Sequence, residues 1–121
     1  MSAKEQSLRD RLRAKTLGSS KRKEEKVEID GETFIVRQPT VAERALILRK
    51  SGATSGEADK VDIAEMQVWA VIQCVYTPDG ERVFEEADYE ALRNAPTGSY
   101  VDKLAAAALR LMNVAEVEAK N

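Results

Sequence analysis

Apolar residues are thin over the first quarter of the chain and then fall into patterns of changing period. Between residues 2 and 25 they occur only at Ala3, Leu8, Leu12, Ala14 and Leu17, among charges. Leu8 and Leu12 stand one helical turn apart, which makes a stripe able to dock on a partner but too narrow to build a core. Gly18-Ser19-Ser20 interrupts that helix, and Lys21–Lys26 is a mixed charge run. Residues 1–25 read as a basic, flexible arm: a frayed helix plus a linker.

Val27-Glu28-Ile29 and Phe34-Ile35-Val36 bracket Asp30-Gly31. Asp-Gly between β-rich runs signals a hairpin, because glycine accepts positive φ cheaply. Glu32 is a candidate to widen the turn. Pro39 holds Gln38 extended, and Thr40-Val41-Ala42-Glu43 spells a capping box. A helix should start at Thr40 and run to about Lys50, with Ser51-Gly52 ending it. Loss of the Thr40 side chain should cost about 1 kcal/mol.

After a small polar loop at residues 52–59, Asp59 is placed to cap the next helix. Val61, Glu65, Val68, Trp69, Ile72, Val75 and Tyr76 follow at near-helical spacing, all apolar but Glu65. Trp69 should anchor the core. Thr77-Pro78-Asp79-Gly80 is a turn by composition, and Val83-Phe84 is a short extended piece. Glu85–Asn94 reads as a short helix with its acids in the first turn. Thr97-Gly98-Ser99 opens the last helix, with Val101, Leu104, Ala105, Ala108, Leu111 and Met112 on one face. These elements predict an α+β fold, mostly α: an N-terminal β-hairpin followed by a small bundle of three to four helices. The globular domain should span 26–114, with 115–121 a frayed tail.

The chain is long enough for one domain, and 33% of its 121 residues are charged. Nine basic residues against four acidic ones give residues 1–26 a charge of +5, which leaves −7 on the other 95. It is a basic arm on an acidic body. The arm reads first as a solvated, mobile leader and second as a protein-docking segment; nucleic-acid contact comes last, because the arm has no aromatic residue to stack on bases and no readout helix follows it.

Histidine is absent, which removes the commonest general base and metal ligand. Cys74 stands alone, so neither a disulfide within the chain nor a Cys-His nucleophile can form. It reads as a small buried residue. Glu85-Glu86-Ala87-Asp88 lacks the pattern of a calcium loop, and no glycine-rich phosphate loop exists. No catalytic residue, cofactor or metal is expected. With no signal-like or spanning apolar stretch, a cytoplasmic protein is expected.

The run Thr33-Phe34-Ile35-Val36-Arg37-Gln38-Pro39-Thr40-Val41-Ala42-Glu43-Arg44 resembles the opening of tail assembly chaperones of long-tailed phages. The resemblance continues through Cys74-Val75-Tyr76, then Asp79-Gly80-Glu81-Arg82-Val83-Phe84 and Tyr89-Glu90-Ala91-Leu92. It closes on Leu104–Asn113 and so covers about residues 27–114. It implies a chaperone of the host bacterial cytoplasm that binds the tape measure protein and keeps it soluble. Such a chaperone helps tail tube protein polymerise around its client and is missing from the mature virion. It also implies a longer form made by ribosomal frameshifting, with this chain matching the shorter one. Candidate partner contacts are Leu8 and Leu12 on the arm, Leu104, Leu111 and Met112 on the last helix, and Val114 and Val117 beyond it. Self-association is compatible with these faces. Two other readings stay open: a minor tail or head-completion component of the virion, and a nucleic-acid-associated regulator acting through the arm.

Overall fold

The computed structural model describes residues 7–18 and 21–112. Helix α1 (Leu8–Leu17) is capped by Ser7, whose hydroxyl accepts from the Asp10 amide, and none of its residues is buried. A hairpin of β1 (Glu24–Ile29) and β2 (Glu32–Arg37) follows, then α2 (Val41–Lys50), α3 (Ile63–Cys74), β3 (Val75–Tyr76), α4 (Tyr89–Arg93) and α5 (Tyr100–Met112). This is the expected α+β arrangement, mostly helical, with the hairpin ahead of the bundle.

The hairpin turn is the two-residue type that its sequence calls for. Asp30 and Gly31 have φ of 54° and 82°, the paired positive values of a type I′ turn. Glu32 does not widen it, because Glu32 pairs directly with Ile29. The ladder extends back to Glu24↔Arg37, three residues before the expected start at Val27. Pairing of Glu24 through Lys26 with Arg37, Val36 and Ile35 recruits a charged run that local propensity would leave out.

The capping box forms as expected. Thr40 Oγ1 accepts from the Glu43 amide at 3.1 Å, and Glu43 Oε1 accepts from the Thr40 amide at 3.0 Å. The next helix departs from expectation at both ends. Asp62, not Asp59, caps α3, accepting from the Glu65 amide at 3.1 Å. Ala58–Lys60 is a 3₁₀ turn instead, so Val61 lies outside the helix. At the far end, Val75 and Tyr76 leave the helix to pair with Val36 and Ile35. The expected helix at Glu85–Asn94 is split into a 3₁₀ turn at Glu86–Asp88 and the short α4.

Helix α3 is the centre of the fold. Its residues Val68–Cys74 are all buried, as a helix surrounded by neighbours requires. Helices α2, α4 and α5 pack on it, and α5 also covers the sheet. Ala105, Ala107 and Ala108 are fully buried on α5, and such small side chains let helix axes approach closely. The Tyr100 ring meets Phe34 edge-on at 5.8 Å, and its hydroxyl donates to Asp30 at 2.8 Å. Arg110 pairs with Glu25 on β1.

Candidate interaction surface

The densest polar feature is built on Glu43. Its carboxylate accepts from Arg22 at 2.9 Å and from Arg82 at 3.0 Å while completing the α2 cap. Arg82 also donates to Gln73 on α3 at 3.3 Å. The Tyr76 ring lies among three guanidinium groups, with Arg37 at 4.7 Å, Arg22 at 5.6 Å and Arg82 at 5.8 Å from its centroid. Contacts of this kind favour the cations over an aromatic face. The chain arriving from α1 is fastened here as well. Arg22 Nε donates to the Gln38 carbonyl at 2.7 Å, and the Gln38 amide donates to the Lys23 carbonyl at 2.7 Å.

A second polar centre is Glu65, which accepts from Arg93 at 2.7 Å and from the Tyr89 hydroxyl. That hydrogen bond raises the Tyr89 pKa above its ordinary value, because an anionic acceptor favours the neutral phenol. Cys74, on α3, is fully buried, and burial pushes its thiol up to about 12. A thiol so far from ionisation is a poor nucleophile. Among the described residues, no group of three or more metal-ligating side chains comes together. No described helix is long and apolar enough to cross a membrane.

The candidate contact residues fall into three environments. Leu8 and Leu12 are 61% and 55% exposed on α1, joined there by Leu17. Leu104, Leu111 and Met112 are buried in the core, so that stripe of α5 closes the fold. Val114 and Val117 lie outside the described residues. The sequence alone did not single out Val41 as a contact. It is 88% exposed, because it occupies the first position of α2, just after the cap, and the buried residue of that helix is Ile47. Val41 opens onto a cavity of about 160 Å³ lined also by Gln38, Pro39, Thr40, Arg44, Leu111 and Met112. Here Leu111 and Met112 meet the Gln38–Val41 stretch that leads into α2.

No family model matches the chain, and no curated protein matches it. Among solved structures, it is similar to the tail assembly chaperone of bacteriophage HK97. The match has a TM-score of 0.57 at 21% identity and covers 82% of this chain and 96% of the other. The fold is that of a phage tail assembly chaperone.

Proposed function

We infer that this protein is a phage tail assembly chaperone that binds the tape measure protein, keeps it soluble, and assists tail tube assembly around it. The observation that carries this reading is the similarity in fold, which spans nearly the whole of the HK97 chaperone. The motif order from Thr33 to Asn113 supports it independently of the coordinates. In this reading the protein acts by covering apolar surface of its client, in the host cytoplasm, and leaves before the particle is finished.

Co-expression tests it. A tape measure protein from the same tail gene cluster should move from pellet to supernatant when this chain is present, and the two should co-purify. No gain in soluble client would count against the reading. Mass spectrometry of purified particles separates it from a structural role, since a virion component would be retained and a chaperone lost.

A further inference from the structure

Two of the places where the described residues offer apolar side chains to solvent are joined by a short stretch of chain. One is the Val41 cavity, with Pro39, Leu111 and Met112 on its walls. The other is α1, with Leu8, Leu12 and Leu17 exposed. Gln38 links them: it lines the cavity and is hydrogen-bonded to Arg22 and Lys23, where the chain from α1 joins the body. Four residues lie between Leu17 and Arg22, so five Cα–Cα steps keep the end of α1 within roughly 17 Å of Arg22. Both parts carry the same sign of charge. Residues 7–18 hold Arg9, Arg11, Arg13 and Lys15 against Asp10 alone, and among the described residues Arg44 is the one charged residue on the cavity wall.

We propose that this end of the fold is a docking surface for an acidic amphipathic helix of a partner protein. The apolar ridge of that helix fills the Val41 cavity, and α1 pairs alongside it through Leu8 and Leu12. Helices with apolar seams choose partners by the charges flanking the seam, and flanks rich in arginine select glutamate and aspartate. The short tether makes pairing with α1 intramolecular once the cavity is filled, which raises its effective concentration. The proposal rests on the assembly reading for the identity of the client, and adds the surface used and the charge of the client segment.

The probe is a labelled synthetic peptide of about three heptads with leucine at a and d and glutamate at e and g, set against the same peptide with lysine at e and g. Like charges at e and g discourage each peptide from pairing with itself. Fluorescence anisotropy with the full chain should show the glutamate peptide bound at least about tenfold more tightly than the lysine one. Val41→Asp should weaken that binding about tenfold while leaving the urea unfolding curve in place, since an acid in the first turn suits the helix dipole. Reversing the arm (R9E/R11E/R13E/K15E) should invert the preference between the peptides. Equal affinities, or no response to either variant, would overturn the proposal. So would sedimentation showing this end covered by a second copy that Val41→Asp releases, or peptide binding seen only after residues 113–121 are removed. If Val41→Asp still solubilises the co-expressed client as well as the unaltered chain does, the surface is wrong and the assembly reading stands. If the peptide binds as expected but the client gains no solubility, the surface stands and the assembly reading falls.

Discussion

Arg22 and Glu43 lie 21 residues apart in sequence and 2.9 Å apart in space, and their contact fastens the end of the arm to the start of α2. Glu43 is only 17% exposed at its side chain and serves Arg22, Arg82 and the Thr40 amide together. Glu43→Ala removes one carboxylate and strands two guanidinium groups and an amide. Both arginines retain some access to water, which moderates the loss. The expected destabilisation is about 2 kcal/mol in urea unfolding. Glu43→Gln should cost less, because its amide oxygen still reaches the cap. An effect no larger than that of Arg44→Ala, at the exposed neighbouring position, would show that the network contributes nothing.

Gly52 and Gly56 sit in the same loop with nearly the same positive φ, 81° and 82°, but in different surroundings. A Cβ added at Gly52 would lie 2.4 Å from the Lys60 carbonyl oxygen, whereas one at Gly56 meets nothing within 4 Å. The Gly52 contact is between two backbones, where the loop folds back before α3 and the Asp62 amide donates to the Ser51 carbonyl at 2.8 Å. Gly56→Ala should therefore cost only the left-handed penalty, about 1 kcal/mol. Gly52→Ala adds a clash that no rotamer relieves and should cost about 3 kcal/mol or more. Equal melting temperatures for the two variants would refute this ranking.

These cases mark what could be read from the sequence. The Thr40–Glu43 box and the Asp30-Gly31 turn were legible because each is settled by residues within a few positions of one another. The end of α3 was not, because Val75 and Tyr76 continue the helical stripe and are drawn off it by Val36 and Ile35, some forty residues earlier, and by the return of the chain at Arg82 and Val83. The α5 face was legible as apolar, but the same spacing serves a core and a binding groove equally. Only the packing of α5 on α3 and the sheet decides that Leu104 is buried. Val41 was hidden for the opposite reason. An apolar residue at the first turn of a helix carries no sign of exposure until the neighbouring turns are placed.

Glu65 was legible only as a polar break in the α3 stripe. Its partners, Tyr89 and Arg93, lie 24 and 28 residues further on. They explain how a helix as short as α4 holds its place, since five residues cannot sustain a helix alone. Glu65→Ala should loosen α4 and cost about 1–2 kcal/mol. The Tyr89 ring lies 5.5 Å from that of Trp69, so the loosening should also appear in the near-ultraviolet circular dichroism and in Trp69 fluorescence. A variant with unchanged aromatic signals and unchanged stability would mean that Leu92, the buried residue of α4, suffices to hold it.

Cys74 makes the stability of the fold depend on alkaline pH in a defined direction. Burial is the larger cause of its raised pKa, and the negative charge of Glu43 adds to it, while Arg22 and Arg82 oppose the shift. The thiol titrates near its ordinary 9.0 when unfolded and near 12 when folded. Below pH 9 both states hold the proton, and stability from this group is fully present. Between 9 and about 12 the unfolded chain releases the proton and the native one keeps it, so stability falls as pH rises. The slope from this one group approaches about 1.4 kcal/mol per pH unit. Urea unfolding at successive pH values from 8 to 10.5 should show the decline, and Cys74→Ala should make it shallower, the remainder coming from Tyr89 and Tyr100, whose pKa values are also raised; the substitution should cost about 1–2 kcal/mol at neutral pH from the small cavity left behind. A thiol reagent at pH 8 should label the native protein only at the rate of unfolding, and the denatured protein at once. Rapid labelling of the native chain, or an unchanged pH slope in the alanine variant, would place the thiol at the surface and remove it from the core that α3 builds.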